Sequence, residues 1–221
     1  MTERKANSAI LAIGLVLALI LPLFGHYAAP YIPTDRLTAS SIFFWALAVL
    51  VLLYVVVVER RPLSSIGLKT PGLRDLVFAC LATGVAAVGM TVIFFVVFPA
   101  FHLKLATTSA NAALLTAPFW VRFWTVVRAA FTEEILFRGY GIERLGQWTG
   151  SLWIAGVVTL VFFTTAHLAG WGPAVLLNAG WGGLVLTLFY LWRRNLWANI
   201  LAHWLVDAVG FLLIPALAAH H

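Results

Sequence analysis

Charge is what this sequence has least of. Only 10% of its 221 residues are Asp, Glu, Lys or Arg, against 62% hydrophobic, too little polar material to cover a soluble globule. A mean hydropathy of +0.98 agrees with an integral membrane protein. Cysteine is nearly absent too. The single Cys80 excludes an intrachain disulfide, and without CxxC or a Cys/His zinc pattern neither redox chemistry nor structural zinc is expected; Cys80 reads as a small apolar filler. GxSxG, HExxH and GxxxxGK[ST] are all missing, which removes the usual signatures of serine hydrolases, zinc peptidases and P-loop enzymes. The net charge of +6 would suggest nucleic acid in a soluble chain. Here the basic residues stand singly or in pairs between apolar runs, where they read as topology signals, and no nucleic-acid partner is expected.

What is present is a series of apolar runs long enough to cross a bilayer. Breaks at charge, Pro and Gly divide the chain into seven spans at 8–28, 40–58, 76–101, 118–145, 151–168, 173–192 and 196–217. Arg4 and Lys5 before the first run permit a signal-peptide reading, but its length favours an uncleaved anchor. An N-terminus in the cytoplasm places Arg4, Lys5, Arg60, Arg61, Lys69, Arg74, Arg138, Arg144, Arg193 and Arg194 inside and only Arg36 and Lys104 outside, the asymmetry of a membrane protein with its N-terminus in. Trp120, Trp124, Trp148, Trp171, Trp192 and Trp197 lie near span ends, as headgroup anchors do. The predicted fold is therefore an all-α polytopic transmembrane helical bundle of about seven spans with a cytoplasmic N-terminus. Residues 1–221 form one integral membrane domain in contact with the lipid bilayer, and 118–217 carry its chemistry. The terminal His220 and His221 read as a tag remnant.

Ionisable groups within the spans are rare and, being costly there, point to a cavity or a partner. The fourth span holds Glu133, Glu134 and Arg138; His167 ends the fifth; His203 and Asp207 lie in the seventh. At about 100° per residue, Glu134 and Arg138 share a helix face, whereas Glu133 points about 100° away. Glu134 thus has a counter-ion and Glu133 has none in its own helix, which makes Glu133 the candidate base. His203 and Asp207, also i and i+4, project toward one site. A carboxylate to take a proton from water, imidazoles to orient that water or protonate a leaving amine, and a polar group for the oxyanion together suggest hydrolysis. Each residue also has a packing reading: Glu134–Arg138 as a structural pair, His203–Asp207 as a hydrogen-bonded pair between helices, Phe163 as a neighbour of His167, and Asn178, Asn199, Gly180 and Gly183 as places of close helix approach.

Three segments stand in order: Glu133-Glu134-Ile135-Leu136-Phe137-Arg138, Phe163-Thr164-Thr165-Ala166-His167 and His203-Trp204-Leu205-Val206-Asp207. With these motifs, EExxxR, FxxxH and HxxxN/D, the chain resembles the CPBP family, the CAAX protease and bacteriocin-processing (Abi-like) intramembrane glutamic endopeptidases. Arg61-Pro62-Leu63-Ser64-Ser65-Ile66-Gly67-Leu68 looks like the loop leading into that family's site. The resemblance implies cleavage of a peptide bond in a membrane-associated peptide or protein. Glu133 would activate water with help from His167, His203 and Asp207 would support the oxyanion, and Glu134 and Arg138 would shape the site. It implies no cofactor and no metal, and a multi-pass protein of a bacterial or archaeal cytoplasmic membrane. Members resembling the prenyl-protein endopeptidases commonly carry Asn where this chain has Asp207. An ionised carboxylate there repels an oxyanion, so Asp207 must be protonated, act through water or orient His203.

Two other functions fit the same residues: a catalytically silent membrane partner or immunity protein binding a peptide in the cavity, and a metal-dependent hydrolase with Glu133, His167 and His203 as ligands. Depth poses a separate problem. Counting about 1.5 Å per residue from the cytoplasmic ends puts His203 about 10 Å deep, Glu133 about 18 Å and His167 about 24 Å. They meet only if the helix boundaries differ by several residues or a break near Gly156 shifts the fifth span.

Overall fold

The computed structural model describes residues 2–106 and 109–213. The end of the last predicted span, 214–217, and the terminal histidines lie outside the described residues. Among those described, every regular element is helical, and six helices are long and apolar enough to cross a membrane: α1 (Ser8–Tyr31), α2 (Arg36–Val58), α3 (Leu73–Ala100), α6 (Leu152–Trp171), α7 (Val175–Arg193) and α8 (Leu196–Leu213). Between α3 and α6 come the short α4 (Ser109–Thr116) and the long α5 (119–149). This last helix is the predicted fourth span, continued four residues beyond its expected end.

Helix ends follow from local chemistry. Asp35 caps α2 by accepting from the backbone N–H groups of Leu37 and Thr38, and Asn195 caps α8 by accepting from Ala198 N. Left-handed Gly150 (φ 74°) and Arg194 (φ 52°) turn α5 into α6 and α7 into α8. The expected start of the third span at residue 76 is too late. Asp75 belongs to the first turn of α3, where its carboxylate accepts from Gly72 N at 2.8 Å and from Arg193 Nε at 2.8 Å.

Burial is inverted relative to a soluble protein. Arg138, Arg144 and Glu134 are among the largest fully buried side chains, whereas Phe95, Val88, Trp153 and Trp120 are among the exposed ones. That is the distribution expected when the surrounding solvent is hydrocarbon. Helix α5 runs through the main core, where its Ile135, Leu136, Phe137 and Tyr140 pack with Leu15 and Leu19 of α1, Val51 and Tyr54 of α2, Phe163 of α6 and Leu196 of α8. A second cluster joins α3, α7 and α8 through Ala79, Leu186, Phe189, Ala198 and Ala202, and its small alanines permit close approach. Cys80 is exposed and is no core filler.

Arg138 and Arg144 also depart from expectation. Both are buried in ion pairs, with Glu134 and Glu59 respectively, and neither is a loop charge. Eight basic residues against two remain in the charge count, in the same sense. Arg144 also binds the connection between α2 and α3, donating to Ser65 O (3.1 Å) and Ser65 Oγ (2.8 Å), while Gly67 O accepts from Leu196 N at 2.8 Å.

The depths reconcile because the helix ends are staggered. Gly139 of α5 lies level with Leu196, since a Cβ there would come within 2.8 Å of the leucine side chain. Residues 140–149 therefore run on past the start of α8, and Gly146 lies level with Leu152 in the same way. Measured from the level of Leu196, Glu133 is six residues in and His203 seven. His167 is fifteen from Leu152, less the seven separating Gly146 from Gly139, which makes eight. All three reach about 10 Å. No break occurs at Gly156, which packs on Leu191 and Thr187 within a continuous helix.

Candidate active site

The two adjacent glutamates straddle a change in helix type. Glu133 ends a regular α-helical stretch, and Glu134–Ile142 forms nine residues of wider, i→i+5 bonded π-helix, a conformation that is rare and often found at functional sites. Gly139 and Gly141 within it allow Leu196, Leu19 and Thr159 to approach the backbone. The sequence reading assumed α geometry throughout and did not anticipate this segment.

Glu134 turns into the protein and is fully buried. Its Oε1 accepts from Arg138 Nη1 at 2.8 Å and from His203 Nδ1 at 2.8 Å, and its Oε2 accepts from Asn199 Nδ2 at 2.5 Å. Arg138 in turn donates to Gly183 O at 3.0 Å and lies 4.1 Å over the Phe163 ring, an arrangement in which its charge is both paired and stacked. Phe163 packs edge-on against Phe137 and lies 4.8 Å from the His167 ring.

Glu133 turns the other way, onto a cavity of about 200 Å³ lined also by Arg128, Phe163, His167, His203 and Asp207. Its Oε2 lies 3.9 Å from His167 Nε2 and its Oε1 lies 3.6 Å from Arg128 Nη1. Glu133 therefore does have a cation in its own helix, contrary to the sequence expectation. The long Arg128 side chain bridges a spacing of five residues that the i+3/i+4 rule does not register. His167 Nδ1 is 2.8 Å from Phe163 O. A carbonyl only accepts, so Nδ1 carries a proton and the ring turns its Nε2 toward Glu133. In the same way the Glu134 carboxylate assigns a proton to His203 Nδ1, leaving Nε2 3.6 Å from Asp207 Oδ2, beyond direct hydrogen-bond length.

All seven residues singled out in the sequence thus lie in one contiguous assembly. Glu133, His167, His203, Asp207 and Phe163 line the cavity, with Glu134 and Arg138 behind it. Two residues were missed. Asn199 was read as a packing amide, although Asn199, His203 and Asp207 form an i, i+4, i+8 stripe that could have marked it. Arg128, within the predicted fourth span, was given no role. A larger chamber of about 1070 Å³, lined by Phe94, Phe98, His102, Lys104 and Leu115, adjoins the cavity and shares Asn178, Asp207 and Phe211 with it. Among the described residues no three His, Cys, Asp or Glu side chains converge on a metal-sized site.

Residues 115–209 match the family described as type II CAAX prenyl endopeptidase Rce1-like. An uncharacterized protein of Bacillus subtilis (strain 168), YpbD, is 35% identical over 80 residues, covering 36% of this chain and 38% of that relative. The chain therefore spans well under half the length of the curated relative it matches. No solved structure matches it. The segment that resembles this family contains all three motifs and every residue of the assembly around Glu133 and Glu134.

Proposed function

We propose that the protein is an intramembrane endopeptidase that hydrolyses a peptide bond in a membrane-associated peptide or protein, with 118–217 as its catalytic core. One observation carries this reading: Glu133 Oε2 and His167 Nε2 face each other at the cavity, 3.9 Å apart. One water fits between two polar atoms at that separation, donating to the Glu133 carboxylate and oriented by His167. Glu133 takes a proton from this water as its oxygen attacks the substrate carbonyl. Collapse of the tetrahedral intermediate breaks the C–N bond, and the proton held by Glu133 passes to the leaving amine directly or through the imidazole of His203. Glu134 has no part in proton transfer, because three donors already occupy its oxygens; its role is to hold His203 and Arg138 in place.

The adjoining apolar chamber supports a peptide substrate with a hydrophobic segment, prenylated or otherwise lipid-linked. A silent peptide-binding protein would need the cavity but not the juxtaposition of Glu133 with His167. A metal-dependent hydrolase fits less well, since Arg128 already places a cation beside Glu133, where a divalent ion would be repelled. The test compares membrane peptides in cells making the parent protein with those in cells making Glu133→Gln. Peptides that disappear only with the parent support the reading; identical peptide profiles refute it.

A further inference from the structure

Arg128 is a cation on the cavity wall with no task in the reaction as described so far. Its side chain is 12% exposed and lines the cavity with Glu133, His167, His203 and Asp207. The guanidinium lies 5.0 Å over the Phe44 ring, and Asp207 lines the same cavity. Arg138 shows what a closed structural pair looks like here: contact at 2.8 Å with its carboxylate and a second bond to a carbonyl. Arg128 is different. Its nearest carboxylate oxygen is at 3.6 Å, too far for a hydrogen bond, and its Nε has no partner. A guanidinium with donors to spare is thus held at the wall of a site where negative charge must develop.

The residue at 207 makes this consequential. An amide there would donate to the oxyanion, but Asp207 carries a carboxylate into the same cavity. A charge of that sign raises the energy of the intermediate unless a cation offsets it. Building on the endopeptidase reading, we infer that Arg128 is a further catalytic residue, the cationic donor that stabilises the tetrahedral oxyanion and offsets Asp207. The guanidinium keeps its charge throughout. As the water loses its proton to Glu133 and the carbonyl oxygen becomes anionic, Arg128 donates to that oxygen, and it returns to Glu133 when the amine leaves.

The test uses the full-length protein in lipid vesicles and a library of quenched fluorescent apolar peptides, from which one that the parent cleaves is taken. Values of kcat and KM are measured separately for the parent, Arg128→Gln, Arg128→Lys, Asp207→Asn, Arg128→Gln with Asp207→Asn, and Glu133→Gln, with thermal unfolding as the check on folding. Arg128→Gln should lower kcat by about 10²–10³ with KM within about threefold, as loss of one oxyanion donor does. Arg128→Lys should fall between that variant and the parent, because it keeps the charge but not the fork. Asp207→Asn should restore about tenfold in kcat to Arg128→Gln, by removing the opposing charge and supplying an amide donor. A folded Arg128→Gln variant with parental kcat beside an inactive Glu133→Gln overturns the inference and leaves the endopeptidase reading standing. So does a loss that Asp207→Asn fails to relieve, since a plain counter-ion of Glu133 would give that result. If Arg128→Gln does not fold, parental kcat in Arg128→Lys overturns the inference. Turnover retained by Glu133→Gln, or no cleavage of any peptide by the parent, overturns the reading and the inference with it.

Discussion

Substituting Glu134 by Gln should unfold the protein at a markedly lower temperature, whereas the same change at Glu133 should barely move it. Hydrogen bonding alone does not predict the difference. A glutamine oxygen in the place of Oε1 could still accept from Arg138 and His203. Its NH2 would then face Asn199, whose own Oδ1 is buried and unpartnered and can turn to accept it. What glutamine cannot restore is charge. Arg138 is 1% exposed and would be left as a buried cation without its carboxylate, the situation that costs about 3–5 kcal/mol when one partner of a buried pair is removed. In a chain of this size each kcal/mol lowers Tm by about 2–4 °C, so the expected fall is about 6–20 °C.

Glu133 borders a cavity and its cation stands 3.6 Å off, so its neutralisation should cost about 1 kcal/mol or less, the range of loosely paired, partly solvated charges. Thermal unfolding of both variants in the same lipid-detergent mixture decides the matter. An unchanged Tm for Glu134→Gln, or a larger fall for Glu133→Gln, would refute the division of labour between the two carboxylates.

Three further substitutions follow from the same geometry. Asp207→Asn should retain turnover at or above the parental level, because the 3.6 Å gap from His203 Nε2 to Asp207 Oδ2 leaves no direct hydrogen bond to lose; a tenfold fall in kcat in the folded variant would contradict this. Gly183→Ala would bring a methyl group within 2.8 Å of Phe163 and 2.9 Å of Leu160, overpacking that should cost about 1–3 kcal/mol and displace the ring beneath Arg138. It should lower both Tm and kcat, and parental values for both would exclude it. Arg144→Gln leaves buried Glu59 without its cation and releases Ser65, so limited proteolysis should cut within 60–72 far faster than in the parent; equal rates would show that the loop is held by other contacts.

The spans were legible because apolar runs and bilayer thickness constrain each other. The errors lie where charge was taken to mean loop. Asp75 was placed outside α3, yet it caps the helix and pairs with Arg193. Arg144 was counted as a topology signal, yet it is fully buried against Glu59 and Ser65. In each case a partner more than seventy residues away cancels the cost of burial, and no local window contains that partner. The stagger of α5 and α6 against α8 was hidden for the same reason. Hydropathy places each helix in the membrane separately, while relative height is set by contacts such as Gly139 against Leu196.

The adjacent glutamates show how far residue type can carry a functional argument. Helical geometry required that Glu133 and Glu134 diverge, and the spacing to Arg138 identified which one turns toward a cation. It could not say how many donors each would meet. Around Glu134 the structure gathers Arg138, Asn199 and His203 from two helices at 2.5–2.8 Å, so both oxygens are committed before any substrate arrives. Around Glu133 the neighbouring Arg128 and His167 stand back at 3.6 and 3.9 Å, so its oxygens remain open toward the cavity. Identical side chains one residue apart are thereby given opposite surroundings by donor number and distance. A carboxylate saturated with donors organises a site, and one held just out of hydrogen-bond reach of its neighbours is free to accept a proton from water.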